Sequence, residues 1–122
     1  MRPPDISAYR HYIEAALEYG DGGFTYEDIV QAVQDGSFQF WPGVDSMILT
    51  EIVNYPRLRA VNVVAAGGNL AEIEAMVPKL EAWARAHGCT EAVFTGRRGW
   101  ERTFLARTGW AKSDAVIYRR PL

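Results

Sequence analysis

The sequence predicts a single α/β domain with a mixed sheet of about five strands and flanking helices, and three observations predict it. Apolar residues recur at three- and four-residue spacing from Tyr9 to Leu17 and again from Leu70 to Ala84, the mark of one-sided helices. Between and after those stretches, runs rich in Val, Ile, Thr and aromatic residues read as strands. Glycine, proline and asparagine punctuate the transitions. At 122 residues with 48% hydrophobic content, the chain buries one core and has no room for two domains.

Taken in order, Asp5 or Ser7 caps a first helix whose stripe is Tyr9, Tyr12, Ile13, Ala16 and Leu17, stopping near Gly20. The loop Gly20-Asp21-Gly22-Gly23 follows, and Thr25 with Asp28 three residues on marks a second helix ending at Gly36. Phe38, Phe40 and Trp41 form a strand running into the Pro42-Gly43 turn. Met47 to Tyr55 is the next strand, joined through Pro56-Arg57-Leu58-Arg59 to a central strand from Ala60 to Ala66. Gly67-Gly68-Asn69 is expected to break that strand, with Asn69 capping a long helix that closes at His87-Gly88-Cys89. Pro78 falls inside it and predicts either a kink or a start later than Asn69, because an interior proline costs about 3 kcal/mol. Glu91 to Thr95 is a strand. A helix carrying Trp100, Phe104 and Leu105 ends at Thr108-Gly109-Trp110, and Ala115 to Tyr118 is the final strand.

Composition narrows the function classes. A formal net charge of -2 argues against a general polyanion binder, leaving only local basic patches. The single cysteine, Cys89, forms no internal disulfide, sits at a helix C-terminus that disfavours a thiolate, and fits a reducing setting. His11 and His87 have no carboxylate or cysteine at ligand spacing, so no metal is expected. The Met1-Arg2-Pro3-Pro4-Asp5 run lacks the apolar stretch of a secretory signal, and no run approaches the roughly 20 apolar residues of a membrane span, so a soluble cytoplasmic protein is expected. No nucleophile elbow and no phosphate loop ending in Gly-Lys-Ser/Thr is present.

The element order from Trp41 to Leu122 resembles the GNAT N-acetyltransferases. The most specific part is Ala92-Val93-Phe94-Thr95-Gly96, then Gly99-Trp100-Glu101-Arg102, then Thr108-Gly109-Trp110, which looks like the family's fifth strand and the helix closed by a Gly-aromatic pair. The small size and the Arg-Gly-Trp-Glu-Arg segment look like acetyltransferase-like proteins of phage and prophage genomes. The resemblance implies a GNAT-like (acyl-CoA N-acyltransferase) fold and acetyl-CoA as cofactor, its pyrophosphate bound by backbone N–H groups at the start of the long helix. Here Val64, Ala65, Gly67, Gly68, Asn69, Leu70 and Ala71 hold that position. The family pattern is Arg or Gln, two residues, Gly, one residue, then Gly or Ala. With Gly67 as its first glycine the leader is Val64 and the last residue Asn69; with Gly68 as its last, the leader is Val63 and the middle glycine is Ala66. Either way the loop departs from the family.

The resemblance also places a leaving-group acid four residues before Gly109, where this chain has Leu105. Tyr118 is the candidate substitute, and Glu51 the candidate base acting through water. Arg97 and Arg98 are candidates for a CoA phosphate or are a solvated helix entry; Trp41 lines an amine-acceptor site or covers the sheet. Two functions remain: acetyl transfer to an amine, or a non-catalytic phage virion or assembly protein that works through a protein partner. Cofactor access requires a V-shaped gap between Ala60 to Ala66 and Ala92 to Thr95, open toward Gly67.

Overall fold

Side-chain capping sets the first elements. Asp5 Oδ1 accepts the Ser7 N–H at 2.9 Å and starts a 3-10 turn, Ile6–Tyr9, that runs into α1, Arg10–Glu18. Thr25 and Asp28 form a reciprocal capping box, as their spacing predicts, and open α2, Tyr26–Gln34. The computed structural model describes residues 5–20 and 22–122; the Met1 to Pro4 run and Asp21 of the glycine loop lie outside the described residues.

Four strands follow the two helices: β1, Phe38–Pro42; β2, Ser46–Asn54; β3, Arg59–Gly68; and, after the helix α3, Leu70–Ala86, the strand β4, Glu91–Phe94. They form one mixed sheet in the order β1-β2-β3-β4. The first three are antiparallel, and α3 is the crossover that brings β4 parallel to β3. The protein is therefore α/β, with helices on both faces of a mixed sheet.

Parity along β2 divides the core between those faces. Met47 and Leu49 point toward α1 and α2, where they bury Ile13, Ile29 and Ala65, while Ile48 points to α3 with Val61, Ile73, Leu80 and Ala84. Ile13, Ile29, Met47 and Leu49 are completely buried. Each such side chain contributes about 1.5–3 kcal/mol from leaving water. Between β2 and β3 the register advances from Leu49↔Ala65 to Thr50↔Val63, so Val64 is an extra residue, a β-bulge. Val64 and Ala65 consequently both pack toward α1, whereas Val63 and Ala66 pack toward α3.

Three sequence expectations change. The Gly67-Gly68 pair does not break β3: both residues remain in the ladder, opposite Met47 and Ser46, and the strand ends at Gly68, directly before the Asn69 cap. Long-range hydrogen bonds to β2 override the local breaker signal. Second, of the two expectations raised by Pro78, the late start is not met: Asn69 Oδ1 accepts the Glu72 N–H at 3.1 Å and α3 runs from Leu70 through the proline to Ala86. Third, the sheet has four strands among the described residues, because Ala115 to Tyr118 pairs with nothing in the sheet. Four alternating residues fix no register without a neighbouring strand. The segment before them is also not one helix but two 3-10 turns, Arg98–Arg102 and Phe104–Arg107, separated by Thr103 in an extended conformation.

Candidate functional site

The site arises where two parallel strands part. β3 and β4 pair only from Ala60↔Glu91 to Val63↔Phe94. Beyond that point β3 continues to Gly68, while the chain after Phe94 turns away at Thr95-Gly96. The divergence opens a cavity of about 440 Å³. Its back wall is the bulged end of β3, Val64 to Gly68; Leu70 and Ile73 of α3 close one end. Tyr12 and Ala16 of α1, with Tyr19 directly after it, form a roof, and Phe94 with Trp100 forms the opposite wall. Those two rings meet edge to face, centroids 5.1 Å apart. Gly96 makes that contact possible, since a Cβ there would lie 2.6 Å from the Phe94 ring and 2.9 Å from Trp100.

Gly67 and Gly68 are small for reasons internal to the protein. A Cβ on Gly67 would approach the Tyr12 carbonyl oxygen at 3.1 Å, which is how α1 lies so close over β3. Gly68 has φ +103°, and a Cβ there would collide with the Asp45 carbonyl oxygen. The turn between β1 and β2 is thus seated directly on the end of β3.

That turn also engages the start of α3. The Asn69 N–H donates to the Asp45 carbonyl at 2.8 Å, and the Glu72 N–H is taken by the Asn69 side chain. Of the first-turn donors, those of Leu70 and Ala71 are left without an acceptor among the described residues. The Glu72 carboxylate turns back onto the same corner, accepting from Ser46 Oγ at 2.7 Å and from the Asp45 N–H at 2.9 and 3.2 Å. The Ser46 hydroxyl, then the Asp45 N–H, hold its pKa below the usual carboxylate value. A group whose folded pKa is depressed stabilises the fold above its unfolded pKa and loses that contribution as pH falls through the folded value. Urea unfolding of wild type and Glu72→Gln is therefore expected to show a stability gap at pH 7 that closes on acidification below about 4.5, the ordinary value for Glu. A gap that persists unchanged at pH 3 would contradict the role of the charge.

At the mouth, the Arg97 guanidinium lies 4.0 Å from the centre of the Tyr19 ring, a cation–π contact between the turn after β4 and the end of α1. Of the residues the sequence singled out for a cofactor, Val64, Ala65, Gly67, Gly68, Leu70 and Arg97 all line the cavity. Asn69 and Ala71 lie in the same α3 start, and Arg98 is exposed one position beyond Arg97.

The proposed chemical groups are not there. Glu51 is opposite Phe38 and Asn62 on the α1–α2 side of the sheet, where it accepts a hydrogen bond from Asn62 Nδ2 at 3.1 Å. Trp41 is on the α3 side, donating from Nε1 to Thr50 Oγ1 at 3.0 Å and packing edge-on against Trp83. Glu51 and Trp41 thus lie on opposite faces of the sheet, and neither lines the cavity. Tyr118 is 91% exposed on the C-terminal segment, and Leu105 packs against the α3-side core. Sequence reasoning missed the roof. Tyr12, Ala16 and Tyr19 follow the helical spacing i, i+4 and i+7; the first two were absorbed into the core stripe, and Tyr19 lies beyond it. Among the described residues lining the cavity there is no Asp, Glu, His, Lys or Cys. No group of three His, Cys, Asp or Glu among the described residues is placed to hold a metal, and no helix is long and apolar enough to cross a membrane.

No family model matches the chain, and no curated protein is similar to it. Among solved structures it is similar to a point mutant of TTHA1254 from Thermus thermophilus, with 15% sequence identity and a TM-score of 0.67. The match covers 100% of this chain and 98% of that one, so the likeness is of fold along essentially the whole length.

Proposed function

We propose that this chain is a GNAT-like protein whose cavity takes the pantetheine arm and thioester of acetyl-CoA. The observation that carries the reading is the parting of β3 and β4 beyond Val63↔Phe94, which leaves an open cavity bounded by the Gly67 to Leu70 corner. A narrow arm fits a slot between diverging strands. The apolar lining from Val64, Leu70, Ile73 and Phe94 suits its methylene and dimethyl portions, and the bulge at Val64 lies in the same wall.

Transfer to an amine asks little more of the protein than orientation. The amine nitrogen attacks the thioester carbon, the C–S bond breaks, the thiolate takes up a proton, and the nitrogen sheds one. With no carboxylate or imidazole in the lining, the acceptor must arrive as the free amine and those protons must exchange with water. Tyr12 and Tyr19 are the lining residues that carry a phenol. That same lining favours a second reading: acetyl-CoA binding, or the bare fold, retained by a phage virion or assembly protein that acts through a partner.

Calorimetry and thermal melting with acetyl-CoA test the proposal. Saturable stabilisation is expected, about 2.7 kcal/mol at a hundredfold excess over Kd. No shift at millimolar acetyl-CoA would reject it. Binding without release of free thiol across a panel of amines, followed from pH 7 to 10, would select the non-catalytic reading.

A further inference from the structure

The two edges of the sheet are finished differently. β1 forms one edge and ends at Pro42, which has no N–H to offer a further strand. β4 forms the other without a proline, and its outward N–H and C=O groups have no ladder partner among the described residues. Ala92 and Phe94 stand opposite Val61 and Val63 and share the α3 face, whereas Glu91 and Val93 project to the α1–α2 face, where Val93 is 37% exposed.

The α3 face is incompletely covered beside that edge. A second cavity of about 330 Å³ opens between α3 and β4 over Val61, Ala84, Cys89 and Ala92. On its helix side Glu81 and Arg85 pair with each other at 3.7 Å, and Glu91 lies on its strand side. A strand added along β4 would lay alternate side chains over this hollow.

The chain carries a segment of that kind. Val116, Ile117 and Tyr118, residues that favour strands, are 66%, 62% and 91% exposed, and Arg119 and Arg120 follow them. The segment does not pair with β4 of its own chain. Its base is held at the 3-10 turns, where Lys112 Nζ lies 2.8 Å from Glu101 Oε1, and the Ala115 N–H donates to Ser113 Oγ at 3.1 Å.

We propose that this segment adds antiparallel to the β4 edge of a second copy, so that two copies exchange their C-terminal segments about a two-fold axis. Charge sets the direction: antiparallel pairing brings the Arg119-Arg120 end to Glu91, whereas parallel pairing would carry it past Phe94. In the register that pairs Glu91 with Arg119 and Val93 with Ile117, Tyr118 stands beside Ala92 and covers the second cavity, while Ile117 covers Val93 on the other face. Every copy is both donor and acceptor, so the exchange closes at two and leaves neither β4 edge open.

Sedimentation of the full chain from about 1 to 200 μM is expected to show a dimer. The variant Ile117→Asp, Tyr118→Asp changes side chains exposed in the single chain, so folding by circular dichroism is expected to persist while the dimer weakens about a hundredfold, each dimer containing the pairing twice. Glu91→Arg is expected to weaken it as well, and adding Arg119→Glu and Arg120→Glu to restore it, a rescue that a merely structural role for Glu91 would not give. After oxidation, Val93→Cys, Ile117→Cys is expected to run on a denaturing gel as a covalent dimer. A monomer at every concentration would overturn the proposal, as would a dimer that Ile117→Asp, Tyr118→Asp leaves intact. A double-cysteine chain that crosslinks within itself would also overturn it, by placing the segment on its own β4.

Discussion

Gly68→Ala is expected to cost about 3 kcal/mol of folding free energy, from about 1–2 for a residue with a Cβ at positive φ and a further 1–3 for forcing atoms into a filled space. Gly68 sits at φ +103°, and its absent Cβ is replaced by the Asp45 carbonyl oxygen, with the Ser46 Cα at 2.6 Å. Both obstacles are backbone, so no side-chain rotation relieves them. Moving Asp45 also breaks the Asn69 N–H bond at 2.8 Å and disturbs the Glu72 clamp on the Asp45 N–H, so the start of α3 loosens with the strand end. Gly109→Ala separates the two causes. Gly109 has φ +87° but open space where its Cβ would go, so only the backbone penalty of about 1–2 kcal/mol applies. Urea unfolding of the two variants reads the difference; equal losses would show that Asp45 yields easily and that the corner is not rigid. Because Gly67, Gly68 and Leu70 wall the cavity, the thermal response to acetyl-CoA is expected to weaken in Gly68→Ala and to persist in Gly109→Ala.

The same corner shows what the sequence reveals and what it conceals. Caps are local, and Thr25 with Asp28 and Asn69 with Glu72 were legible because donor and acceptor lie within three residues. Strand ends are decided elsewhere: Gly67 and Gly68 look like breakers until Met47 and Ser46 supply ladder partners. Site residues divide along the same line. The Val64 to Leu70 stretch was legible as a connected segment between strand and helix, whereas Glu51 and Trp41 required the hairpin register. Glu51 faces Phe38 and Trp41 faces Ile48, and Phe38 and Trp41 are an odd number of positions apart, which puts the two candidates on opposite faces. The α1 roof depends on a helix crossing β3 some fifty positions away in sequence, and no local pattern encodes that contact.

Pro78→Ala is expected to stabilise the protein by about 2 kcal/mol. An interior proline costs about 3 kcal/mol relative to alanine, and its restriction of the unfolded chain returns about 0.4–1. Pro78 is exposed and lies well inside α3, so alanine loses no core contact and gains the N–H that the Glu74 carbonyl lacks. The helix tolerates the proline because both of its halves are anchored. Ile73 on one side and Leu80 and Ala84 on the other are buried against the sheet, and Glu74 is paired through its side chain with Arg107 at 2.9 Å. The missing bond therefore divides α3 into a half that walls the cavity through Leu70 and Ile73 and a half that packs beneath Trp41. Restoring it should raise the melting midpoint by about 8 °C and slow amide exchange most in Leu70 to Val77. A neutral or destabilising result would mean that the helix path is adapted to the proline ring. In that case the orientation of the α3 start, and the Leu70 and Ile73 wall with it, depends on Pro78 rather than surviving in spite of it.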